Sequence, residues 1–183
     1  MGLKLDNLDR LTRRHMLREF VEDLEGGNLV ISPRLTMAGR KAWPTLLREA
    51  IEREGDEWLA AQLRQFDCLE RFERAFRWES PLYYVRRVPR NAADMLAEAE
   101  FNRYYIRGLC LRALHEGMAE VEVYRAKDVA EPRPESQALL GTRVSCDRLL
   151  DDVRRSSRVL KIPGGPNSGI SVRLPAERQE AVA

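Results

Sequence analysis

The stretch from Asn91 to Gly117 constrains this chain more than any other part of it. Asn91 is a good N-cap, Gly117 a good stop, and no proline interrupts the residues between them, so the segment reads as one long helix. On a 3.6-residue period, Met95, Ala99, Asn102, Ile106, Leu109, Cys110 and Ala113 form one stripe. Ala97, Phe101, Tyr104, Tyr105, Gly108 and Leu111 form a second stripe beside it. Only Glu100, Arg103 and Arg107, with Glu98 and Glu116 nearby, make a polar ridge. A helix that is apolar around most of its circumference is a central one, and the rest of the chain must wrap it.

Asn102 lies inside an apolar stripe, where a buried amide without partners costs about 1 to 3 kcal/mol. Two readings follow. Either Asn102 fastens the helix to a neighbouring backbone, with Gly108 permitting close approach of another element, or it opens into a pocket shared with Arg103, Tyr105 and a carboxylate from Glu98 or Glu100. The second reading, extended by Glu120 and Glu122 on a following strand, is the set expected of an enzyme acting on a phosphate-bearing or nucleic-acid substrate.

The 183 residues suffice for one domain with a proper core. Before the long helix, Leu8, Leu11, Met16, Leu17, Phe20, Val21 and Leu24 recur at helical spacing ahead of Gly26-Gly27, with Asp6 or Asn7 as the expected cap. Leu29 to Ser32 reads as a short strand ahead of Pro33. From Leu35 to Phe66 the chain reads as consecutive helices. Thr36 caps the first, Pro44 opens a second, Gly55 closes it, and Asp56 caps a third. Residues 68 to 80 read either as a continuing helix or as a strand beginning near Ala75. Leu82 to Val88 favours a strand by its β-branched and aromatic content, and a hairpin turning at Glu79-Ser80-Pro81 would pair the two. After the long helix, Glu120 to Arg125 alternates with period two, valines inward and carboxylates outward. A short helix near Gln137, a helix from Cys146 to Arg155 and a strand at Ile170 to Leu174 complete the reading. The expected fold is therefore a mostly helical α+β domain, its long central helix packed on a small mixed or antiparallel sheet of three to five short strands. It divides into a helical part, 1–66, a mixed part, 67–175, and a disordered tail, 176–183.

Composition narrows function by exclusion. No run approaches the roughly 18 apolar residues of a membrane span, and the N-terminus lacks the pattern of a secretory signal. Cys68, Cys110 and Cys146 are widely separated and odd in number, which points to a reducing, cytoplasmic setting without disulfides. His15 and His115 are the only histidines, so neither a structural metal site nor a cofactor is expected. Acids and bases nearly cancel at a net charge of +2, and they do so in both halves of the chain. The bases are nonetheless 27 arginines to 4 lysines, the group suited to bidentate contacts with carboxylate or phosphate.

Charge segregates once. Arg154, Arg155, Arg158, Lys161 and Arg173 flank the glycine-rich PGGPNSGIS, with no acid from Val153 to Ala176. With Arg86, Arg87 and Arg103 they are the expected binding residues, and Tyr83 and Tyr84 the expected interface residues, since Tyr and Arg are favoured at interfaces. The sequence is thus expected to encode a non-catalytic interaction or assembly protein, a subunit of a larger complex or a homo-oligomer, with nucleic acid as a further partner of its arginine-rich surfaces. A nuclease-like enzyme and a DNA-binding regulator using the N-terminal helices are the alternatives.

Overall fold

The long helix forms as its pattern dictates, and the remaining elements follow in an α+β order. The computed structural model describes residues 2–77, 80–155 and 168–176. Its elements are α1 (Arg10–Glu25), α2 (Met37–Glu52), α3 (Asp56–Gln65), β1 (Phe72–Arg77), β2 (Ser80–Arg87), α4 (Ala92–His115), β3 (Glu120–Arg125), α5 (Pro134–Ala138), β4 (Arg143–Ser145), α6 (Cys146–Arg155) and β5 (Ile170–Arg173). The strands form two antiparallel sheets, β1-β2 and β4-β3-β5. Among the described residues no helix is long and apolar enough to cross a membrane.

The chain gathers into two compact units, one of Gly2 with Phe20–Phe101 and one of Leu3–Glu19 with the chain from Asn102 onward. It passes between them inside α1 and inside α4. The expected tail beyond Ala176 lies outside the described residues.

In the first unit, Thr36 caps α2 by accepting from the Gly39 N–H at 3.0 Å, and the Thr36 N–H donates to the Cys68 carbonyl at 2.9 Å. Gly39 is required there, because a Cβ would fall 2.3 Å from that carbonyl oxygen. The helix does not break at Pro44 as the sequence suggests. It runs through, with Pro44 inside it. An interior proline costs about 3 kcal/mol. Trp43, Leu47, Ala50 and Ile51 are fully buried on the same helix, and each large apolar side chain so buried contributes roughly 1.5 to 3 kcal/mol, which outweighs the break.

Leu29 to Ser32 forms no strand. Among the described residues no strand pairs with it, and the Val30 carbonyl instead accepts from the Trp43 indole at 3.0 Å. The pairing in this region is a single antiparallel bridge from Leu35 to Leu69.

In the second unit α1 is capped by Asp9 rather than Asp6 or Asn7. The Asp9 Oδ1 accepts from the Leu11 and Thr12 N–H groups, both at 3.0 Å. Asp6 and Asn7 are engaged elsewhere, Asp6 with Arg173 and Asn7 by accepting from the Leu174 N–H at 2.8 Å. Gly108 permits the expected close approach, since a Cβ on it would stand 2.7 Å from the Met16 nitrogen. Val121 and Val123 of the central strand β3 are fully buried, while Glu120 is exposed and Glu122 half-buried.

Candidate interaction surface

The polar residues of α4 are resolved by their partners. Asn102 donates to the Ile170 carbonyl at 3.0 Å and accepts from the Ser171 hydroxyl at 2.6 Å, so both ends of its amide are fixed on β5. Tyr105 accepts from the Asn7 N–H at 3.2 Å, and Arg103 is buried on the same stretch. Burial pushes the Tyr105 phenol far above its ordinary range. Asn102 thus ties the helix to β5, and Tyr105 ties it to the N-terminal segment.

Beside them lies a buried ionic centre. Glu19, with no exposed surface, accepts from the Arg107 Nε at 2.6 Å and the Arg154 Nε at 2.9 Å, while the Arg154 Nη2 closes the fork. Arg107 is itself only 2% exposed. Burial raises the Glu19 pKa, but the hydrogen bonds and charges of Arg154 and Arg107 outweigh it, leaving the carboxyl below its usual range. A buried carboxylate is tolerable only when paired in this way. Sequence reasoning passed over Glu19. The available signal was its position three residues after Met16 and seven after Thr12, on the face of α1 that is buried.

The charge-segregated C-terminal arginines are largely consumed within the chain. Arg154 serves Glu19. Arg155 pairs with Asp151 one turn before it, at 2.9 Å. Arg173 binds Glu122 at 2.6 Å and Asp6 at 3.3 Å, with its guanidinium 5.4 Å from the Tyr124 ring centre. Arg158 and Lys161, and most of PGGPNSGIS, lie outside the described residues.

The carboxylates named for catalysis are dispersed in role. Glu122 is held by Arg173, and Glu120 stands exposed two residues away on the same strand. Glu98 is half-buried and Glu100 buried on the part of α4 that belongs to the first unit. Among the described residues no group of three or more His, Cys, Asp or Glu side chains is arranged to hold a metal ion. His15 and His115 meet edge to face with ring centres 5.0 Å apart, and Cys110 and Cys146 are both buried.

The β1-β2 ribbon is built differently. Its register pairs Phe72 with Arg87, Glu73 with Arg86, Arg74 with Val85 and Ala75 with Tyr84. Directly paired residues share a face. One face therefore carries Glu73, Ala75, Tyr84 and Arg86, and the other Phe72, Arg74, Tyr83, Val85 and Arg87.

The first face anchors the ribbon. Glu73 accepts from the Arg34 Nε at 2.6 Å and the Arg86 Nε at 2.7 Å, and the Glu70 N–H donates to the Arg34 carbonyl at 2.8 Å. The Arg34 hydrogen bond chiefly holds the Glu73 carboxyl below its ordinary range, with Arg86 adding to it against a counteracting effect of burial. An isolated two-stranded hairpin is marginal in water, and this attachment to the segment before α2 supplies what the ribbon alone lacks.

The second face is open. Phe72 is 55% exposed, Tyr83 71% and Val85 68%, and Arg74 and Arg87 are exposed between them. No side-chain hydrogen bond or ion pair joins Arg74 or Arg87 to another described residue. Of the paired candidates read from sequence, Tyr83 and Arg87 thus lie outward, whereas Tyr84 is half-buried on the opposite face and Arg86 there is tied to Glu73. Phe72, Val85 and Arg74 join the outward set. Neither FERAF nor YYVRR alternates apolar with polar, so no sequence signal separated them and only the register against β1 does.

Compared with known proteins, the sequence matches no family model, no curated protein and no solved structure.

Proposed function

We propose that this protein is a non-catalytic interaction subunit of a larger assembly, and that it docks an anionic partner through the outward face of the β1-β2 ribbon. The supporting observation is that face itself, where Phe72, Tyr83 and Val85 are exposed beside two arginines that make no ion pair among the described residues. Leaving three large apolar side chains exposed on one face forgoes roughly 1.5 to 3 kcal/mol of burial for each. Exposed apolar surface concentrated in this way marks an interaction site. Tyr, Phe and Arg are also the residues that dominate binding energy at interfaces. The three cysteines, all free and buried, fit a reducing compartment such as the cytoplasm.

The test is size-exclusion chromatography of the native protein with identification of co-eluting protein and nucleic acid, repeated on a Tyr83→Ser/Val85→Ser variant. The proposal expects a companion that elutes with the wild type and is lost from the variant, while the far-ultraviolet circular dichroism is unchanged. A wild type that runs alone, or a companion indifferent to the variant, contradicts it.

A further inference from the structure

We infer that the partner of the ribbon is a single-stranded nucleic acid, with bases stacked on Phe72 and Tyr83 and phosphates held by Arg74 and Arg87, an inference that rests on the docking role proposed above. The arrangement of the residues carries it. Along β1 the outward face begins Phe72, Arg74, and along β2 it reads Tyr83, Val85, Arg87, with Arg87 beside Phe72 and Val85 beside Arg74. Across the ribbon each arginine therefore faces an apolar residue, and along β1 Phe72 precedes Arg74, while on β2 Tyr83 and Val85 stand together before Arg87. A protein interface gathers its apolar residues at the centre and sends charge to the rim. Here each arginine is set among apolar neighbours. A single nucleic-acid strand likewise sets a flat ring and a phosphate side by side, one of each in every nucleotide.

Dimensions agree with this occupant. Same-face residues stand about 6.8 Å apart along a strand and about 4.8 Å apart across the ribbon, so a guanidinium lies within reach of the phosphate adjoining a base stacked on a neighbouring ring. Charge agrees as well. No carboxylate of the described residues sits on the outward face, and Glu73 points to the other face, where Arg34 and Arg86 occupy it. Binding a phosphate to Arg74 or Arg87 breaks no ion pair among the described residues. The rings favour a single strand over a duplex, because stacking on aromatic side chains needs bases whose faces are free, and it is tolerant of sequence.

The experiment is a fluorescence-anisotropy titration of the full chain with end-labelled, mixed-sequence single strands of about 20 nucleotides, DNA and RNA, beginning near 50 mM salt. A duplex of the same sequence and a polyglutamate chain serve as competitors. Phe72→Ala/Tyr83→Ala is expected to weaken strand binding about tenfold or more. Arg74→Gln/Arg87→Gln is expected to weaken it and to flatten the log–log salt dependence by about 1.4, two phosphates at about 0.7 each for a single strand. Circular dichroism of both variants should match the wild type and the urea midpoint should shift only slightly, since all four side chains are exposed and only cross-strand contacts are lost.

The inference is overturned by absence of binding at low salt, by equal affinity for the duplex or for polyglutamate, or by binding that neither variant changes. If the ribbon variants release the native companion while the oligonucleotide is ignored, docking stands and the nucleic-acid partner falls. If they affect neither, both fall together.

Discussion

Two sets of arginines, one in each unit, are used in opposite ways. In the second, Arg107 and Arg154 converge on the buried Glu19, and Arg173 is shared by Glu122 and Asp6. In the first, Arg74 and Arg87 stand on an open face beside Phe72, Tyr83 and Val85 with no side-chain partner among the described residues. A guanidinium paired and buried is structural, since its removal strands a carboxylate in low dielectric. A guanidinium left in water beside exposed rings adds little to stability and keeps its donors for something else. The number of arginines is thus a poor guide to function, and the supply of carboxylates around each one is a good guide.

The sharpest break in that contrast is Glu19→Ala. Removing one member of a buried ionic group costs about 3 to 5 kcal/mol, read as a fall in the urea midpoint. An effect below about 1 kcal/mol would move the ionic centre to the category of the exposed arginines. The same centre has a pH signature. Glu19 is held below the ordinary carboxylate range, so its contribution is complete above about pH 4.3 and is lost as pH falls through the lower folded value. Glu19→Gln should remove that portion of the acid-side decline, measured by urea unfolding across the pH range.

Asn102→Ala comes next. Its amide satisfies a carbonyl and a hydroxyl on β5, and the loss should be about 1 to 3 kcal/mol with ribbon binding intact. A variant of normal stability that no longer binds would reverse the assignment of Asn102 to architecture.

A smaller effect is expected at His15. Burial lowers its pKa first, followed by His115, Arg18, Arg112 and Arg14 facing it, while Asp9 and Glu116 engage Arg112. The neutral imidazole is the form that fits, so its contribution is present above about pH 6.5 and lost as pH falls through the lowered folded value. His15→Gln should flatten stability over that interval. Proton NMR of the wild type should place the His15 titration below that of a free histidine.

How far the sequence foretold this molecule depends on the distance over which each feature is decided. Helix α4, the Gly108 approach and the valine-in strand β3 follow from periodicity and local composition, and they formed as read. The hairpin also formed, but with Ser80 and Pro81 inside β2 rather than in its turn. Local rules also failed where a tertiary contact outbid them. Pro44 stays inside α2 because residues on either side of it are buried. Leu29 to Ser32 has strand composition but no strand to pair with. Asp9 takes the cap because Asp6 and Asn7 are drawn to Arg173 and Leu174.

The arginine flank shows the limit most plainly. Arg154 and Glu19 are separated by 135 positions, and no inspection of Val153 to Ala176 could reveal that its arginines are answered by acids supplied from outside it. The ribbon was half legible. Tyr83, Tyr84, Arg86 and Arg87 could be marked as a group, but sorting them into outward and inward members required the register against β1.

The claim at the centre is that the outward ribbon face serves binding while the buried polar groups serve stability. It is tested most directly by measuring both quantities on one molecule, Phe72→Ala/Tyr83→Ala, with urea unfolding for the first and association with the native companion and with single-stranded oligonucleotide for the second. Loss of cross-strand contacts should cost no more than about 1 kcal/mol of stability while association falls about tenfold or more. A stable variant that associates like the wild type, or one that loses several kcal/mol and binds normally once folded, would contradict the claim.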